Sequence, residues 1–197
     1  MFHPWIGPKW GQPDNALGGT RLLIVGESHY CSPERPELVG QCLPETTVEV
    51  VDDLAIRGRH RFFTGLTQVV CGRPKWSMSR GEVEALWHAL AFYNYVPAFV
   101  ATGPRIRPTG AMFESGKTPF ADVLARLEPQ AIIACGRDLW WWIRRGLLAG
   151  TATPQPAEEC RIGPALAVRI MHPSATGFSS TGMRPIVERL LAQVRQG

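Results

Sequence analysis

The sequence predicts an α/β fold, a three-layer α/β/α arrangement around a central four-stranded parallel sheet, on three observations. Four short apolar runs have the length of strands and lie far apart in the chain. Segments with helical patterning separate them. Neither a repeat nor a convincing domain linker interrupts the 197 residues, so a single domain, 1–197, with one core is expected. Strands separated by helices need crossover connections, and crossovers produce parallel pairs covered on both faces.

The first strand is expected at Arg21–Val25, followed by Ala91–Val96, Ala131–Cys135 and Ala165–Met171. Each is almost uniformly apolar, as a strand buried on both faces should be. Helices are expected over Thr64–Cys71 and over Gly81–Leu90, where Ser79 and Glu82 are spaced as a capping box. A third covers Pro119–Leu127, with Thr118 as N-cap and proline at the first helical position. Arg137–Leu148 carries three consecutive tryptophans, read as core and interface, and Pro185–Gln196 closes the chain.

Composition narrows the function classes. No apolar run approaches the ~18 residues that span a bilayer, and "MFHPWIGPKWGQP" has neither the basic start nor the apolar stretch of a signal peptide. A cytoplasmic monomer with no membrane partner is expected. Five cysteines, an odd number without C-x-x-C spacing, supply no zinc or disulfide framework, and no metal or cofactor is expected. Cys71 and Cys135 fall in apolar segments, whereas Cys31, Cys42 and Cys160 look loop-borne. A net charge of +4 favours an anionic partner. Arg57, Arg59, His60 and Arg61 cluster before an aromatic pair, and Arg105 and Arg107 sit in a Pro/Gly loop.

In open α/β sheets ligands bind beyond the carboxyl ends of the strands. That rule gathers residues 26–30, 94–97, Gly136 and residues 172–174 at one rim. "GESHY" places Glu27, Ser28, His29 and Tyr30 in succession after the first strand. Asn94 ends the second strand, where asparagine is disfavoured in a sheet but suits the reading of an amide edge. His172 comes directly off the last strand, followed by Pro173 and Ser174. Taken singly, each has a structural explanation.

In order on successive strands, "GESHY", "FYNYVP" and "HPSATGFS" resemble the motifs of the uracil-DNA glycosylase superfamily. Its members carry a G-x-[DNA]-P-[YG] motif after the first strand, an asparagine after the second and H-P-S after the last. The resemblance covers roughly residues 20 to 195, although each motif alone is short. It implies a glycosylase of base excision repair that hydrolyses the N-glycosidic bond of uracil, or another deaminated base, in DNA. By the same resemblance Gly26 shapes the pocket floor, Asn94 reads the flipped base, and Tyr30 blocks a thymine methyl. Phe62 or Phe63 stacks on the base, His172 stabilises the departing anion, Ser174 holds a phosphate, and residues 175–180 enter the minor groove.

Two departures stand out. Ser28 replaces an aspartate that positions the attacking water, which leaves Glu27, Ser28 and His29 as candidates for that work. His29 replaces a proline and adds a titratable group beside the pocket. A branch of the family reading G-E-A-P-G binds an iron–sulfur cluster through four cysteines whose spacing is absent here, so no cluster is expected. Two other readings compete. One is a non-catalytic nucleic-acid-binding module on the same fold. The other is an esterase with Ser28 as nucleophile and His172 as base, for which the orienting acid is missing because Arg169 occupies its position.

Overall fold

A computed structural model of the chain describes residues 1–104, 106–147 and 158–196. Arg105 and Leu148, the expected end of the tryptophan helix, lie outside the described residues. The strands are β1 (Trp5–Ile6), β2 (Leu22–Gly26), β3 (Ala91–Asn94), β4 (Ala131–Cys135), β5 (Glu159–Ile162) and β6 (Ala165–Ile170). They form one sheet in the order β1-β3-β2-β4-β6-β5. The expectation of a four-stranded parallel sheet is thereby corrected to a six-stranded mixed one. Its inner four strands pair in parallel, while β1 and β5 add antiparallel edges.

The helices are α1 (Thr46–Val50), which runs into a π-helical stretch over Val51–Arg57, then α2 (Arg61–Cys71), α3 (Arg80–His88), α4 (Gly110–Ser115), α5 (Lys117–Leu127), α6 (Arg137–Leu147) and α7 (Ser180–Gln196). Alternation along the strands splits the core in two. Leu23, Val25, Tyr93 and Ile132 pack with Phe113, Phe120 and Ile143 of α4–α6. Leu22, Ile24, Phe92 and Ile133 pack with Leu66, Trp87 and Leu190 of α2, α3 and α7. Three layers result. None of the described helices is long and apolar enough to cross a membrane.

Side-chain caps mark the starts of α3, α4 and α7. Ser79 and Glu82 form the expected capping box at the start of α3. Thr118 caps nothing, because α5 begins at Lys117 straight after Gly116, and Thr109 instead caps α4. The final helix starts before Pro185, since Ser179 Oγ accepts the Gly182 N–H at 3.2 Å. Proline within its second turn removes one backbone donor and crowds the carbonyl four residues back.

The strand order reverses at β2. The chain crosses from β2 to β3 on one side, then passes back over β2 to β4 on the other. The crevice at such a switch point lies beyond the carboxyl ends of β2 and β4. Gly26 and Asn94 are Cα partners at the end of the β2–β3 ladder. A Cβ on Gly26 would sit inside contact distance of Asn94 Oδ1 and 2.9 Å from Phe92 Cζ.

Gly26→Ala therefore lowers the unfolding free energy by about 1–3 kcal/mol, the range for overpacking. An unconstrained glycine would give the opposite sign, a gain of ~0.4–1 kcal/mol from the stiffer unfolded chain. Urea denaturation of the variant measures which sign holds.

Candidate active site at the strand ends

Beyond β2 the backbone stays paired. Tyr95 and Val96 donate to Gly26 and Glu27 carbonyls at 3.0 Å each, and Val100 donates to His29. This extension fixes where the four polar side chains of "ESHY" go. Gly26 and Ser28 continue the α2 face of the strand, while Glu27 and His29 continue the α4–α6 face.

On the α2 face a chain of contacts joins residues distant in sequence. The Asn94 side chain lies over Gly26, where Phe92 also packs. Asn94 is 6% exposed, and among the described residues its amide makes no hydrogen bond. Neither amide atom is among the fully enclosed polar atoms that lack a partner, so the tip of the side chain still reaches solvent. The Phe62 ring, at the start of α2, lies 6.0 Å from Phe92 and 5.1 Å from the His172 ring. His172 packs over Gly136, whose φ of +119° turns the chain out of β4 and leaves room for it.

The protonation of His172 follows from its surroundings. The Ser174 N–H donates to Nδ1 at 3.2 Å, so the neutral ring carries its proton on Nε2. Burial, helped by the Arg107 charge, pushes its pKa down to about 4. At neutral pH His172 is thus an uncharged donor whose Nε2–H is left for a ligand.

On the other face, at the switch point, the Arg107 guanidinium bridges two carboxylates. Its Nη2 donates to Glu27 Oε2 at 2.7 Å and to Asp138 Oδ2 at 3.0 Å. Glu27 is the enclosed member, its side chain 10% exposed. Burial raises its pKa above the usual 4.5, against the opposing pull of Arg107 and with a further push from Asp138. Asp138 was missed by sequence reasoning, although "CGRD" sets it three residues after β4 at the same rim.

Other expected site residues sit elsewhere. His29 is a core residue, not a pocket wall. It is 5% exposed, its Nε2 meets Thr47 Oγ1 at 2.8 Å, and its ring packs against Phe2 and Phe99. Phe63 points inward, with its ring 5.5 Å from Trp87 and 5.4 Å from Phe92. Tyr30 is at the surface. Ser174 is exposed, and the role visible for it is the backbone bond to His172. Ser28 Oγ is buried and has no hydrogen-bond partner among the described residues, so no imidazole activates it. Arg169 pairs with Glu158. Cys31 lies in a loop as expected, but it is buried there and its thiol donates to the Ala101 carbonyl. Cys71 is only partly buried rather than a core residue, and Cys160 lies on edge strand β5.

The basic cluster is partly committed inside the fold. Arg57 pairs with Asp52 at 2.7 Å, and Arg61 donates to the Ala175 carbonyl at 3.1 Å, tying α2 to the loop after His172. The wide concavity of about 1350 Å³ lies at the opposite, amino ends of the strands, bordered by Arg21, Gln130 and Pro164. None of the rim residues touches it, so volume alone is a poor guide to the chemistry here. Among the described residues no group of three or more His, Cys, Asp or Glu side chains could hold a metal ion.

Burial also depresses the His29 pKa to about 3. For both histidines the unfolded chain binds protons that the folded chain refuses. Their contribution is therefore fully present above pH 6.5, the ordinary value, and is lost as pH falls through the folded values, about 4 for His172 and about 3 for His29. Urea unfolding across that window is expected to show stability declining with acid, with a shallower decline in His29→Gln. A scan against protein-family models and a search of the curated proteins both returned no match to this chain, so its function has to be argued from the arrangement of these residues.

Proposed function

We propose that this chain is a monofunctional DNA glycosylase that releases uracil or another deaminated base by hydrolysing its N-glycosidic bond. The observation that carries the reading is the nearly buried Asn94, whose amide pairs with no described residue and still reaches solvent, joined through Phe92 and Phe62 to a neutral His172. An asparagine offers one acceptor and two donors, which matches the O4/N3–H edge of uracil. Phe62 is the ring assigned to stack on a flipped base; it is 8% exposed and packed against Phe63, Phe92 and His172, so the base has to displace one of these contacts. A base inside a duplex is out of reach of such a pocket, so it is extruded at a cost of a few kcal/mol.

The chemistry needs three things of the rim. As the glycosidic bond breaks, its electron pair leaves with the base, and His172 Nε2–H stabilises the resulting anion. The sugar develops positive charge, which a nearby carboxylate offsets. Water adds to the anomeric carbon and gives its proton to Glu27. Glu27 is assigned this work because His29 is walled into the core and Ser28 carries no charge. Its raised pKa makes it the better base. The chain's net positive charge of +4 suits a polyanionic substrate.

The buried, unactivated Ser28 hydroxyl argues against the esterase. The non-catalytic module stays a rival, because it would use the same Asn94 and Phe62 without turnover.

The test uses labelled oligonucleotides with one deoxyuridine, single-stranded and opposite guanine, read as alkali-labile breaks. Wild type is expected to produce breaks, and Asn94→Ala and His172→Ala to lower the rate by ~10²–10³, as for loss of a preorganised donor. Salt-sensitive binding without breaks on uracil, hypoxanthine or xanthine would leave the binding module instead.

Acid titration of the rate supplies a second check. Activity is expected to fall as pH drops through a midpoint above 4.5, where Glu27 takes its proton, while His172 stays neutral to about 4. Arg107→Ala removes the charge that holds the Glu27 pKa down, so the midpoint moves up. Glu27→Gln abolishes this limb and lowers the rate by ~10²–10⁴.

A further inference from the structure

We infer that the outer face of α6 is a stacking platform for an unpaired nucleotide beside the base-binding pocket. The inference rests on the glycosylase reading for the pocket's occupant, but its own observations are separate. Trp141 is half exposed, which a purely structural tryptophan would avoid. Its ring meets Trp142 edge-on at 4.8 Å, and Trp142 stacks on Phe113 at 5.4 Å with an interplanar angle of 6°. The platform is therefore braced from beneath. The Arg145 guanidinium lies 5.0 Å above Trp141 and 5.9 Å above Trp142.

These rings line a cleft of about 270 Å³ whose remaining walls include Arg107, Pro108 and Asp138. Arg107 is the shared partner of Glu27 and Asp138, so the cleft begins where the pocket rim ends. Arg107 lines it directly, Arg145 lies over its two tryptophans, and Arg137 reaches it only through Asp138, the opposing charge that Arg107 and Arg137 both engage. Arg145 has no carboxylate partner among the described residues. A surplus of guanidinium groups interleaved with an exposed indole fits a phosphate-linked chain of bases. Sequence-tolerant single-strand binders combine these same parts, a basic groove and aromatic rings on which bases stack. A folded duplex offers no free base to Trp141, so the occupant is single-stranded.

The experiment measures fluorescence anisotropy of an undamaged, labelled oligothymidylate, with thermal unfolding to verify that each variant is folded. Trp141→Ala is expected to weaken binding by ~5- to 150-fold, the range for one stacked base. Arg145→Glu also weakens it, and Trp141→Phe restores most of the affinity. Trp76→Ala, which removes an 85% exposed tryptophan on the α2–α3 connection, leaves binding unchanged. Equal affinity of Trp141→Ala and wild type, or equal losses in Trp141→Ala and Trp76→Ala, overturns the inference. Trp141-dependent binding by a protein that releases no base upholds the platform while removing the glycosylase reading. Base release together with Trp141-independent binding does the reverse.

Discussion

Everything at the rim depends on one close approach, the Asn94 side chain lying over Gly26 at the end of the β2–β3 ladder. The parallel register makes the two residues Cα partners, and the missing Cβ at Gly26 lets the amide lie against the strand. Phe92, two residues earlier on β3, shares the same face and continues the contact to Phe62. The start of α2 is thus aligned with the end of β3. Arg61 then fastens α2 to the loop that carries His172. A slip of one residue between β2 and β3 would turn Asn94 to the other face and dismantle this chain.

The two faces of the sheet divide the labour at its edge. On the α2 side the groups are neutral: an amide, two aromatic rings and an imidazole kept uncharged by burial. On the α4–α6 side they are charged, with two carboxylates and a guanidinium at the switch point. Low polarity around the first set strengthens each hydrogen bond it can offer. The second set stays together because Arg107 compensates two negative charges brought close by adjacent strand ends. Arg107 itself is exposed, so it bridges buried and solvated charge.

Much of this was legible in the sequence, and the failures have physical causes. The four inner strands and the larger helices followed from apolar runs and caps, since strands covered on both faces advertise themselves. The edge strands did not. Trp5–Ile6 is too short to show a period, and "ECRI" mixes charge with apolar residues. Yet Gly163 followed by Pro164 was a readable hairpin signal, a positive φ of +56° at the first loop position between Ile162 and Ala165. At the site, Gly26, Asn94 and His172 emerge together because strand-end logic needs only topology, whereas Phe62 came from the resemblance, which left it and Phe63 as alternatives. His29 does not join them, because a polar residue in a motif was read without asking which way an extended chain points it. Asp138 escaped notice because its partner, Arg107, lies 31 residues away and pairing across such a span leaves no local pattern.

Strand alternation also bears on how the proposed chemistry would proceed with serine at position 28. Glu27 cannot substitute from the same direction, because neighbouring side chains on an extended strand leave on opposite faces. It approaches the crevice from the β4 side, where Asp138 stands beside it. Glu27, Asp138 and Arg107 together carry one net negative charge when both carboxylates are ionised. Under the proposed chemistry that charge offsets a developing sugar cation, which Ser28 cannot do. A DNA phosphate competing for the exposed Arg107 would loosen its hold on Glu27. The carboxylate would then become more basic at the moment the substrate arrives. The same ion pair that keeps Glu27 ionised in the free protein would thus yield a stronger base in the complex.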